Sequence, residues 1–126
     1  MIPNKILFAE DEVDVQSVAT LALEMIGGFT VKACNDGLAV LEQVKAFAPD
    51  LILLDVMMPG MDGPTTFEHL RADPETASIP VIFFTAKVLG DEVQRYKAMG
   101  ALGVIAKPFD PMTLAEQIKH FWRLRT

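Results

Sequence analysis

Apolar residues along this chain form two kinds of pattern, and the two alternate. Five short runs have the length and content of strands: Lys5–Ala9 (KILFA), Thr30–Cys34 (TVKAC), Leu51–Leu54 (LILL), Val81–Phe84 (VIFF) and Gly103–Ala106 (GVIA). LILL and VIFF are apolar at every position, which predicts strands covered on both faces. Between the runs, apolar residues recur at helical spacing. Val15, Val18, Ala22 and Met25 are expected to share one buried face, as are Leu38, Leu41, Val44 and Phe47. In the last segment the same role falls to Leu114, Ile118, Phe121 and Trp122. Helix starts are predicted at Asp62-Gly63-Pro64, Asp91 and Asp110-Pro111, and stops at Gly27-Gly28, Pro49 and Gly100.

Strands alternating with helices predict an α/β fold, with a parallel sheet, right-handed crossovers and helices on both faces. Ligands of such sheets bind beyond the carboxyl ends of the strands, where strand order reverses. Composition narrows the class. At 126 residues the chain is the size of one domain, and 51% apolar content is enough for a core. No apolar run approaches the roughly 20 residues that span a bilayer, so no membrane insertion is expected. The N-terminus lacks the pattern of a secretory signal. A lone cysteine, Cys34, excludes an intramolecular disulfide and suits a reducing, cytoplasmic setting; it is expected as a small buried residue. A net charge of −6 argues against direct nucleic-acid binding.

The residues that follow the strands make a chemical set. Strand one ends in Glu10-Asp11, strand three in Asp55, strand four in Thr85 and strand five in Lys107-Pro108. Strand two ends in Asn35-Asp36-Gly37, which reads as turn chemistry. Each alone has an ordinary explanation: an Asp after a strand is usually a turn or cap residue, and a Lys is usually solvated. Their convergence on one end of a sheet is what points to function. Two like charges about 4 Å apart repel by roughly 4 kcal/mol at an effective dielectric near 20, so the carboxylates call for a cation. Hard oxygen ligands suit Mg2+, and the lack of a His or Cys cluster argues against zinc. With Lys107 and Thr85 aimed at the same point, the set suits phosphoryl transfer. Asp55 is then the nucleophile and forms an aspartyl phosphate.

FAEDE, PDLILLDVMMPGMDG, IPVIFFTA, Gly100-Ala101 and Lys107-Pro108-Phe109 occur in an order and spacing that resemble the receiver domain of a two-component response regulator, from about Lys5 to Leu124. The resemblance implies a flavodoxin-like (βα)5 three-layer sandwich with strand order 2-1-3-4-5, and a single receiver domain over residues 1–126. It implies that Asp55, as sole phosphoacceptor, takes a phosphoryl group from a sensor histidine kinase or histidine phosphotransfer protein. By position, Asp11 and Asp55 would ligate magnesium directly, Glu10 through water, and Met57 through its backbone carbonyl. Thr85 and Lys107 would contact the phosphoryl group, Ala86 would leave room for it, and the Lys107–Pro108 peptide would be cis. Such a domain catalyses only its own phosphorylation and dephosphorylation and is not otherwise an enzyme.

The sequence departs from the family pattern at two places. Glu10 stands where Asp is commoner, and Val104 stands where many receivers carry a Tyr or Phe that turns inward on phosphorylation. Output is therefore expected through the face formed by the fourth helix, fifth strand and fifth helix, but weakly switched, because valine has little reach. Phe109 is expected to pack. A haloacid-dehalogenase-like phosphatase would need a second carboxylate two positions after its nucleophile, and Met57 stands there. A flavodoxin-type binder would need a Ser/Thr/Gly-rich phosphate loop, and a degenerate receiver would lack the acidic cluster. Most methionines are expected in the core, and His69 and His120 in solvent. With no effector domain after Thr126, the chain reads as a stand-alone regulator or as a receiver excised from a larger regulator or hybrid kinase.

Overall fold

The computed structural model describes residues 3–86 and 90–125. Strands and helices alternate as β1 (Lys5–Ala9), α1 (Val13–Met25), β2 (Thr30–Cys34), α2 (Gly37–Phe47), β3 (Leu51–Asp55), α3 (Gly63–Ala72), β4 (Val81–Thr85), α4 (Gly90–Ala98), β5 (Gly103–Ala106) and α5 (Leu114–Leu124). The sheet is parallel throughout, in the order β2-β1-β3-β4-β5. Chain order therefore reverses beside β1 and β3, which puts the ligand-binding crevice at their carboxyl ends. β3 and β4 each run one residue further than predicted, because their ladders do. Val56 N donates to Phe84 O at 3.0 Å and Lys107 N to Thr85 O at 2.8 Å. Asp55 and Thr85 are thus the last residues of their strands.

Side chains alternate across the sheet and build a core on each face. Leu7, Ile52, Leu54 and Phe83 meet Val40, Val44, Phe67, Leu70 and Tyr96 from α2, α3 and α4. Ile6, Phe8, Leu53 and Phe84 meet Ala19, Leu23, Ile118 and Trp122 from α1 and α5. β3 and β4 are buried at every position, as LILL and VIFF predict.

The helices correct the sequence in detail. α1 buries Ala19, Ala22 and Leu23, while Val18 and Met25 from the predicted face lie exposed. Two of the three residues this helix buries are alanines, and Val13, Val18, Leu21 and Met25 turn outward. α2 likewise buries Gly37, Val40 and Val44 and exposes Leu38. A Cβ at Gly37 would run into Thr66 Oγ1 and Met61 O, so α2 meets α3 through glycine. α5 buries Leu114, Ile118 and Trp122 as expected, with Phe121 half-buried. It starts later than Asp110-Pro111, because Asp110 closes a separate turn: its carboxylate accepts from Met112 N at 2.9 Å. Asp62 caps α3 as predicted, accepting from Thr65 N at 2.8 Å. Asp91 lies in the first turn of α4, whose preceding residues are outside the described ones. The methionine expectation fails: Met58 is buried, but Met25, Met57 and Met112 are exposed. Cys34 is buried as expected, and burial pushes its thiol up to about 11.

Candidate functional site

Strand ends deliver the site. Glu10 follows β1, and its N–H still bonds the Cys34 carbonyl at 3.0 Å, so the chain stays in line with the sheet. Its side chain is fully buried, and Asp55 at the end of β3 is 2% exposed. Asp11 lies exposed on the loop into α1. Carboxylate oxygens of Glu10, Asp11 and Asp55 lie within 4.8 Å of one another. Lys107, just past β5, reaches back into this cluster. Its ammonium donates to Glu10 Oε1 at 2.9 Å and Asp55 Oδ2 at 3.2 Å, with Glu12 Oε1 at 3.9 Å. The Lys107–Pro108 peptide is cis.

The second oxygen of each buried carboxylate is also engaged. Glu10 Oε2 accepts from Glu12 N at 3.0 Å and Asp55 Oδ1 from Met57 N at 3.3 Å. These bonds do not balance the charge. Burial, reinforced by the negative Glu10, pushes the Asp55 carboxyl up to about 7 against the pull of Lys107. Burial works against the Lys107 ammonium as well, but its bonds to Glu10 and the charge of Asp55 outweigh this and raise it. With all three carboxylates ionised, one ammonium leaves two negative charges in excess. All of the donors are hard oxygens, and among the described residues no His or Cys joins them. That donor set fits a hard divalent cation.

The other expected site residues lie at the same end of the sheet. Thr85 is buried on the α4 side of the sheet, where a cavity of about 210 Å³ is lined by Met57, Asp62, Thr85, Glu92, Arg95 and Tyr96. Ala86 is exposed and forms part of a larger groove of about 440 Å³ with Val15, Val18, Lys107 and Phe109. Phe109 packs against Phe84 with ring centroids 5.4 Å apart, the role expected of it. Val104 is half-buried opposite Phe83, whose ring meets Tyr96 at 4.8 Å. His69 and His120 are exposed on their helices.

Two contributors were not read from the sequence. Gly63 opens α3, and a Cβ there would strike Asp55 O and Val56 Cα; its N–H bonds Val56 O at 2.9 Å. In the sequence Gly63 was visible only as part of the predicted helix start Asp62-Gly63-Pro64. Gln16 in α1 bonds Glu10 O, Cys34 O and Asn35 Oδ1. It carried no signal beyond being a polar residue on a helix.

Known proteins resemble this chain in sequence and in fold. The family described as response regulator receiver domain matches residues 6–119. The transcriptional regulatory protein CseB of Streptomyces coelicolor is 38% identical over 114 residues, covering 90% of this chain and 47% of CseB. The phosphate regulon transcriptional regulatory protein PhoB of Escherichia coli is 36% identical over 122 residues, covering 95% of this chain and 52% of PhoB. The chain thus spans about half the length of these curated relatives. Among solved structures, chemotaxis response regulator CheY4 of Vibrio cholerae matches with a TM-score of 0.86 at 27% identity, over 94% of this chain and 98% of CheY4. A response regulator from Desulfuromonas acetoxidans gives 0.85 at 28% identity, over 98% and 99% of the two chains. With the family match over residues 6–119, relatives 38% and 36% identical along nearly the whole chain and the strand order β2-β1-β3-β4-β5, the chain belongs to the family of response regulator receiver domains.

Proposed function

We propose that this receiver domain accepts a phosphoryl group on Asp55 from a phosphohistidine, borne by a sensor histidine kinase or a histidine phosphotransfer protein. The observation that carries this is the position of Asp55. It is a buried carboxylate at the end of a central strand, 3.2 Å from Lys107 and clustered with two further carboxylates. A carboxylate oxygen of Asp55 attacks phosphorus, the bond from phosphorus to the donor imidazole breaks, and the imidazole leaves with its electron pair. Lys107 neutralises charge on the phosphoryl oxygens as it shifts from the carboxylates to the incoming group. Thr85, at the end of the adjacent strand, donates a hydrogen bond to a phosphoryl oxygen, and Ala86 leaves room beside it.

Magnesium is the cation assigned to the acidic cluster. Asp11 and Asp55 would hold it directly, Glu10 through water and Met57 through its carbonyl. When bound, it supplies positive charge that offsets the carboxylates and the incoming phosphoryl group. The domain is a signalling module, and the only reactions assigned to it are its own phosphorylation and dephosphorylation. We take residues 1–126 as one domain working in the cytoplasm; no described helix is long and apolar enough to cross a membrane. Its output partner is assigned to the face of α4, β5 and α5, which adjoins Thr85.

Incubation with acetyl phosphate and MgCl2, followed by intact-mass measurement, tests the function. One added phosphoryl group is expected, and none in the presence of EDTA. Equal labelling with and without EDTA would remove the cation from the mechanism, and no labelling under either condition would defeat the proposal.

A further inference from the structure

β1 and β2 part company where their chains leave for α1 and α2, and one side chain spans the gap. Gln16 Nε2 lies 2.9 Å from Glu10 O, 3.0 Å from Asn35 Oδ1 and 3.2 Å from Cys34 O. A carboxamide nitrogen has only two hydrogens, so three acceptors share them, and the shortest contact goes to Glu10. That carbonyl belongs to the peptide joining Glu10 to Asp11.

The side chain of Glu10 is already fixed, by Glu12 N at 3.0 Å and Lys107 at 2.9 Å. Asp11 differs, because it is exposed on the loop and its direction follows from the peptide before it. We propose that Gln16 is a positioning residue for the divalent-cation site, holding the Glu10–Asp11 peptide so that the Asp11 carboxylate faces Glu10 and Asp55. The inference rests on the reading of the acidic cluster as a cation site. Gln16 touches no reacting atom. It acts through Asp11, as an outer partner orients a metal ligand.

Gln16→Met keeps the length of the side chain and removes its donors. Titration with MgCl2, followed through the backbone amide resonances of Asp11, Glu12 and Asp55, should show half-saturation at about tenfold higher magnesium, the usual cost of losing an outer-shell partner. Labelling by acetyl phosphate at saturating magnesium should stay within about twofold of the wild type, since the reacting groups are intact. Asn35→Ala removes a different acceptor and should leave half-saturation unchanged. In the wild type, the Gln16 carboxamide protons should shift in step with the Asp11 amide, while those of Gln94 stay still.

Unchanged magnesium affinity in Gln16→Met would overturn the inference, as would an equal loss in Asn35→Ala, which would make Gln16 a staple between loops and nothing more. Should Gln16→Met fail to fold, the wild-type titration decides: carboxamide protons indifferent to magnesium overturn the proposal. A wild type whose Asp11 and Asp55 amides ignore magnesium would defeat both this inference and the functional reading. Normal wild-type binding with an unaffected Gln16→Met would defeat the inference alone.

Discussion

Asp55→Asn should make the cation-free protein more stable, although Asp55 is the proposed phosphoacceptor. The fold holds this carboxyl at about 7, chiefly through burial and the neighbouring Glu10. Folding therefore favours the protonated form. The associated stability is fully present below the ordinary carboxylate range and is lost as pH rises through about 7. A displacement of that size corresponds to about 4 kcal/mol between protonation states, as an upper limit. Asparagine keeps the shape and drops the charge. Lys107 keeps its 2.9 Å bond to Glu10, but the one oxygen of asparagine can accept from Lys107 or from Met57 N and not from both, a loss of about 1 kcal/mol or more. The net gain at pH 8 is then about 2–4 kcal/mol, or a rise of about 8–15 °C in Tm for a domain of this size. Thermal or urea unfolding in EDTA from pH 4.5 to 8.5 should show the gap between variant and wild type opening with pH and levelling above about pH 7. Magnesium should narrow it, because the ion binds the wild-type cluster more tightly and stabilises by mass action. A gap that closes as pH rises, or a variant less stable than the wild type at pH 8, would refute the electrostatic account of the site.

Lys107→Met strands two buried carboxylates and should cost about 3–5 kcal/mol in EDTA, partly restored by magnesium; urea denaturation measures it, and a loss below about 1 kcal/mol would contradict the buried pairing. Beryllofluoride, a mimic of the phosphoryl group, should shift amide resonances around Thr85 and Ala86 with effects that fade across Val104. Large cooperative changes through both α4 and α5 would show that valine at this position does not limit the switch.

Much of the site was legible because a parallel sheet places every strand's carboxyl end on one edge, so the residue after each apolar run marks the crevice. LILL and VIFF were equally plain, since strands covered on both faces leave no room for polar residues. The partners of Lys107 were not legible as distances. They lie 97 and 52 residues away in the chain, and only strand order and register bring them together. Helix faces were harder still. α1 carries apolar residues almost all round, including exposed Val13, Val18, Leu21 and Met25, so helical spacing alone admits several stripes. The stripe that the fold buries is the one built on Ala19, Ala22 and Leu23. Gln16 was invisible for the reason that makes it useful: its acceptors are carbonyls and a loop side chain, placed by the register of β1 on β2.

The central claim concerns one carboxylate, and its product has its own chemistry. An acyl phosphate is reduced by borohydride, which converts the phosphorylated aspartate to homoserine, whereas ordinary carboxylates are untouched. After phosphorylation with acetyl phosphate and magnesium, borohydride treatment and peptide mapping should place homoserine at position 55 and nowhere else, with none in Asp55→Asn. Homoserine at Asp11 or any other carboxylate in the wild type, or undiminished phosphoryl incorporation in Asp55→Asn, would contradict the assignment of Asp55 as the phosphoacceptor.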